Sequence, residues 1–126
     1  MTRAPYQYVV LRCVPRADRE EFLNVGVVVY CEEAGFLDAT HVVDAERLAA
    51  LDPGLDPERV RDALAVVTAV CRGEEAGGSA AGVPLGRRFG FLTAPRSTVV
   101  RPGPVHGGVT EDPARTLDHL VDRLVG

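Results

Sequence analysis

Two runs of strand length, Tyr6 to Cys13 and Asn24 to Cys31, are apolar at nearly every position instead of alternating. A strand with one wet face alternates, so continuous apolar runs of this length point to central strands covered on both faces. The segment between them carries Arg16, Asp18, Arg19, Glu20 and Glu21 and reads as a polar connection, which makes the two runs antiparallel neighbours. Setting Cys13 opposite Asn24 puts Arg12 opposite Val25, Leu11 opposite Gly26 and Tyr6 opposite Cys31. Cys13 and Cys31 then stand at opposite ends of the hairpin, roughly 20 Å apart at about 3.3 Å per residue, too far for a disulfide.

Glu32-Glu33-Ala34-Gly35 supplies the next turn, and Phe36 to Val43 reads as a third strand completing a meander. Asp44 is placed to cap a short helix through Leu51, ended by Asp52-Pro53-Gly54. Asp56-Pro57, a cap followed by proline, opens a second helix with Val60, Leu64, Val67 and Cys71 on one stripe and Arg72-Gly73 at its end. The Gly- and Ala-rich stretch around 73–84 has little side chain to bury and is expected as a flexible loop. Arg87 to Ala94 carries no decisive pattern. Arg96 to Pro102 reads as a fourth strand with Ser97-Thr98-Val99-Val100 at its centre, and Pro102 to Gly108 as a connector. Asp112-Pro113 opens a last helix presenting Leu117, Leu120, Val121 and Leu124. The expected fold class is α+β over residues 1–126 as one domain. It is a two-layer arrangement, an antiparallel sheet of about four strands with an N-terminal three-strand meander and about three helices packed on it.

The 126 residues are 46% hydrophobic and 25% charged, a balance that buries one core without metals or disulfides. A net charge of −4 lacks the basic footprint that nucleic acid requires. The amino terminus has no apolar signal segment and no run reaches the length of a membrane span, so a cytoplasmic protein with no membrane association is expected. Cys13, Cys31 and Cys71 form no C-x-x-C pair, and His41, His106 and His119 are scattered without ligand spacing. No metal is expected. No Walker or dinucleotide-binding glycine motif is present, so no cofactor is expected either.

The sequence has no Lys, Ile or Trp and a single Asn, the composition of a GC-rich bacterial genome. Asn24 is retained against that bias at the mouth of the hairpin, where its amide can both donate and accept, to a ligand or to loop backbone. Gly26, in mid-strand, marks a bulge or a close backbone approach. Arg12 lies inside an apolar strand, where an unpaired guanidinium is costly, and Glu21 just beyond the strand end is its expected ion-pair partner. Arg87, Arg88, Arg96 and Arg101 gather positive charge late in the chain, and Ser97 adds a hydroxyl, a set suited to holding carboxylate or phosphate. His106, in the glycine-rich connector, is the histidine best placed for a role. No catalytic residue is assigned, because Ser97 or Cys13 could meet His106 only in space.

Tyr8-Val9-Val10-Leu11-Arg12-Cys13-Val14-Pro15 followed by Glu21-Phe22-Leu23-Asn24-Val25-Gly26-Val27-Val28 resembles the opening of the DUF3037 family, small bacterial proteins of unknown function. Arg88-Phe89-Gly90-Phe91-Leu92-Thr93-Ala94-Pro95-Arg96-Ser97, then Val105-His106-Gly107-Gly108-Val109-Thr110 and the Leu-rich final helix, continue the resemblance over nearly the whole chain. It implies a single-domain protein often encoded beside a HipA-like kinase, and it brings no catalytic residues. The leading expectation is a non-enzymatic accessory protein partnering such a kinase. The alternative is an anion-binding module or small enzyme that unites Arg12, Glu21 and Asn24 with Arg88, Arg96 and Ser97. Nucleic-acid binding ranks last. The alternative requires the early and late clusters to meet.

Overall fold

The computed structural model describes residues 2–126. Strands β1 (Ala4–Cys13), β2 (Leu23–Cys31) and β3 (Phe36–His41) form the antiparallel meander, with β2 paired to both neighbours. Val27, Val28 and Val29 are each 0% exposed, which is what an apolar run in a strand covered on both faces becomes. Gly35, at φ 59°, closes the turn into β3, a conformation that a residue with a Cβ rarely adopts. Two short strands share the far edge of β1. Strand β4 (Val100–Pro102) pairs with Leu11–Cys13, and β5 (His106–Thr110) pairs with residues 4–8. The result is an α+β fold built on a five-stranded open antiparallel sheet.

Helix α1 (Ala45–Leu51) starts at Asp44, whose carboxylate accepts from the main-chain N–H groups of Glu46 and Arg47 at 3.0 and 3.2 Å. Helix α2 (Pro57–Arg72) is capped by Asp56, with Pro57 at its first position and Gly73 in the left-handed conformation after its end. Its buried stripe, Val60, Leu64 and Cys71, meets one face of the sheet, where Val9, Leu11, Cys13, Val25 and Val28 project. Helix α3 (Leu85–Thr93) adds Phe89 and Leu92 to this core. On the opposite face Val27 and Val29 pack against Leu117, Leu120 and Val121 of helix α4 (Pro113–Leu124), together with Val125. One helix therefore stands alone on the second face, adding a partial layer.

The register departs from expectation at one point. Leu11 faces Gly26 as expected, but Arg12 faces Asn24 and Cys13 faces Leu23, leaving Val25 as the extra residue of a β-bulge. A Cβ on Gly26 would stand 3.0 Å from the Thr40 carbonyl oxygen, 3.1 Å from the Cβ of His41 and 3.3 Å from Leu11 Cδ1, so any other residue requires the neighbouring strands to give by a few tenths of an ångström. Because side chains alternate along a strand, the bulge carries Asn24 from the face of Cys13 to the face of Arg12.

The later chain brings further corrections. The fourth strand is confined to Val100–Pro102, with Ser97 and Thr98 outside it, because the residues before it turn over the end of α3. The connector at 102–108 instead contributes the fifth strand, whose Gly107 and Gly108 lie flat beside β1. A Cβ on Gly108 would meet the Tyr6 ring at 2.8 Å. The segment 87–93 lies within α3, with Ala94 as its extended cap, and Gly86 of the same helix admits the Tyr30 hydroxyl. Residues 75–82 form 3-10 turns, and Gly77 lies so close to α2 that a Cβ would stand 2.9 Å from the Val70 nitrogen.

Candidate functional site

Helix α4 packs chiefly over β2 and β3, which leaves the adjoining part of that face, along β1, β4 and β5, open. The alternation of β1 turns Tyr6, Tyr8, Val10 and Arg12 toward it, while Val9, Leu11 and Cys13 enter the core on the other side. The Tyr6 and Tyr8 rings stack with centroids 6.1 Å apart, and the His106 ring lies 5.1 Å from Tyr8. His106 is thus the exposed first residue of β5, held in an aromatic row. Between this row and α4 runs a shallow cleft of about 670 Å³ bordered by Arg3, Tyr6, Thr110, Arg115, His119 and Arg123. The Thr110 hydroxyl, 2.6 Å from that of Thr116, ties β5 to the start of α4 and fixes the cleft's width.

At the other end of the row Arg12 lies over the ring of Phe22, its guanidinium carbon 4.2 Å from the centroid, and Phe22 is itself 45% exposed. Gly103 makes the room: a Cβ there would stand 3.2 Å from Arg12 Nε and Cζ. The Nε is buried without an acceptor among the described residues. The expected ion pair with Glu21 is not formed. Glu21 is exposed and pairs with Arg19 at 2.6 Å, a contact between neighbours in the connection that keeps its carboxylate off the strand. Instead, the cross-strand partner of Arg12 on β4 is Arg101. Among the described residues neither arginine has a carboxylate within ion-pairing distance. Two like charges set directly opposite destabilise a sheet, so this pair is an unbalanced electropositive point. It borders a cleft of about 330 Å³ with Val14, Glu20, Phe22 and Pro102.

Asn24, although next to Arg12, points into the fold. Its Nδ2 donates to the Leu124 carbonyl at 3.1 Å, and the Arg47 guanidinium donates to the Val125 carbonyl at 2.9 Å. Both serve the free carbonyls at the end of α4. Asn24 therefore positions the helix that walls the open face.

The late arginines go elsewhere. Arg88 donates to the carbonyls of Val70 and Cys71, both at 3.0 Å, closing the end of α2. Arg96 donates to the Phe91 carbonyl at 2.5 Å and stacks 4.6 Å above the Phe91 ring. It lines a groove floored by Leu11, whose side chain leaves the sheet on the face opposite Arg12. Ser97 is exposed beyond the start of β4. The early cluster of Arg12 and Asn24 and the late cluster of Arg88 and Arg96 do not meet. Arg101, five residues after Arg96, is the late arginine that reaches Arg12.

Cys13 and His106 lie on opposite faces, and burial, helped by Asp52, raises the Cys13 thiol above its usual range. Cys71 is pushed up to about 12, first by burial and then by Asp38. Such thiols stay protonated and are poor nucleophiles. Burial also lowers the pKa of His41. No group of three or more His, Cys, Asp or Glu among the described residues is arranged to hold a metal.

The sequence reading does not single out Tyr6, Tyr8 and Phe22 as site residues, and it groups Arg101 with Arg96 rather than with Arg12. The signal for three of the relevant positions was present: Tyr6, Tyr8 and Arg12 share a parity on β1. It was masked because Val9, Leu11 and Cys13, of the other parity, are apolar too. Neither a curated protein nor a solved structure matches the chain. The family model described as "Protein of unknown function (DUF3037)" matches residues 8–125. With that match spanning nearly its whole length, the chain belongs to the DUF3037 family.

Proposed function

We propose that the protein is a non-enzymatic accessory protein that docks its open sheet face onto an acidic surface of a partner protein, and that the partner is a HipA-like kinase. The observation that carries this reading is the Arg12–Arg101 pair, cross-strand partners at the open face with, among the described residues, no carboxylate in ion-pairing distance of either. An acidic partner surface supplies that balance. Tyrosine and arginine are also the residue types that concentrate binding energy at protein interfaces, since rigid rings and planar forks bury area at low entropic loss. The row Tyr6, Tyr8, His106 joined to Phe22 and Arg12 offers both on one surface. The kinase identity rests on the genomic association implied by the resemblance. Tagged protein purified from cells that encode it brings down a HipA-like kinase in stoichiometric amount. Recovery of the tagged chain alone removes the proposal.

A second reading is favoured by the buried, acceptor-free Nε of Arg12: a small anion held between Arg12 and Arg101. Thermal-shift titration with phosphate and with dicarboxylates tests it, because a ligand of the folded state raises the melting temperature by mass action. A shift that survives replacement of both arginines excludes this reading.

A further inference from the structure

On the helix-covered side, α2, α3 and β4 enclose a second concavity of about 220 Å³, which shares only Arg101 and Pro102 with the cleft beside Arg12. Its floor is core: Leu11, Val70, Leu92 and Val100 are all nearly fully buried. Its walls include Val66 and Phe91, which are 48% and 50% exposed, large apolar side chains held at the rim where water meets them. The polar side chains at the edge are Thr98, Arg96 and Arg101. Arg96 uses an Nη2 hydrogen on the Phe91 carbonyl, and Arg101 uses its Nε hydrogen on the Thr98 carbonyl at 2.9 Å. A guanidinium has five N–H donors, so each keeps several for a ligand. Among the described residues no carboxylate pairs with either.

We infer that this groove binds a small monocarboxylic acid, its tail on Leu11, Val66, Val70 and Phe91 and its carboxylate on Arg96 and Arg101. Three properties select this class. An apolar lining rejects sugars, bases and other polar bodies, whose hydrogen-bonding groups would lie unsatisfied against it. The guanidinium forks at the rim match a planar carboxylate in two-point fashion. The volume is that of a small ligand, so the tail is a short aliphatic chain rather than a long lipid. Arg101 borders both this groove and the cleft beside Arg12, whereas Val66 and Arg96 line only the groove, so variants at those two residues test this inference apart from the docking proposal.

Isothermal titration of the full chain with sodium octanoate tests it, with 1-octanol and acetate as comparison probes and Val66→Trp and Arg96→Gln as variants. Val66 is half-exposed, so the larger ring fills the groove from the solvent side, and circular dichroism of each variant verifies the fold. Octanoate binds the unaltered protein, 1-octanol binds at least about tenfold more weakly because it lacks the charge-assisted bonds, and acetate gives no heat. Val66→Trp abolishes octanoate binding, and Arg96→Gln weakens it by about tenfold. The inference is overturned by octanol binding as tightly as octanoate, by octanoate binding that survives Val66→Trp, or by no octanoate binding at millimolar concentration.

Discussion

The side-chain amide of Asn24, at the bulge where β2 begins, donates to the carbonyl of Leu124, one hundred residues later at the end of α4. That bond holds α4 over β2 and β3 and so defines how much of the sheet face is left open along β1. Replacing Asn24 by Ala leaves the half-buried carbonyl without its donor and is expected to lower unfolding free energy by about 1–2 kcal/mol in urea titrations. Asn24→Asp costs more, because it sets a negative charge against the negative end of the helix. Unaltered stability in Asn24→Ala would show that the amide has no such role.

Arg101 offers a sharper separation of stability from function. Removing one member of a like-charged cross-strand pair relieves repulsion, so Arg101→Thr is expected to leave stability unchanged or to raise it by about 0.2–1 kcal/mol. Loss of more than about 1 kcal/mol in chemical denaturation would mean that Arg101 is held by contacts worth more than the repulsion.

Glycine at the bulge is required by contacts in the fold. Gly26→Ala forces a methyl group against the Thr40 carbonyl oxygen and His41, in strands hydrogen-bonded to each other, and is expected to destabilise by about 1–3 kcal/mol. Gly90→Ala, where nothing lies within 4 Å of the new atom, serves as the control and is expected to stabilise α3 slightly. Similar denaturation midpoints for the two variants would contradict the close approach at Gly26.

The pattern of the first half of the chain carried most of the fold. The meander, the caps at Asp44, Asp56 and Asp112 and the buried stripe of α2 follow from local rules that need no distant partner. What escaped depends on tertiary context. Gly26 marked a bulge or close approach, but not the one-residue register shift that moves Asn24 to the other face, which strand composition does not encode. Strand β5 reads as a connector because Gly107 and Gly108 are strand-poor residues, and they are there to lie beside the ring of Tyr6. The Arg12–Arg101 pair joins positions far apart in sequence through a three-residue strand. Arg88 and Arg96 look like one charged cluster in sequence, but Arg88 is turned to the carbonyls at the end of α2, while Arg96 bonds the Phe91 carbonyl of α3.

Alkaline pH is expected to weaken the fold through Cys71. Its thiol, ordinarily near 9.0, is raised to about 12 in the folded chain, chiefly by burial. The folded state therefore retains a proton that the unfolded chain gives up first. Stability is full below about pH 9 and falls as the pH rises from there toward 12, the direction required when the unfolded state binds fewer protons. Cys13 and Tyr30, both raised by burial, act with the same sign. In Cys71→Ala, unfolding free energies measured between about pH 8 and 10.5 decline less steeply than in the parent. An identical slope would assign the alkaline loss to other groups.

The most direct test of the open face is affinity for the proposed HipA-like kinase partner, measured with three forms of the protein: unaltered, Arg12→Ser/Arg101→Ser, and Arg96→Gln. The double variant is expected to weaken binding at least about a hundredfold, as for hot-spot arginines, while Arg96→Gln, on the opposite side, binds like the unaltered chain. Full affinity in the double variant, or equal losses in both variants, would contradict docking through the face that carries Arg12 and Arg101.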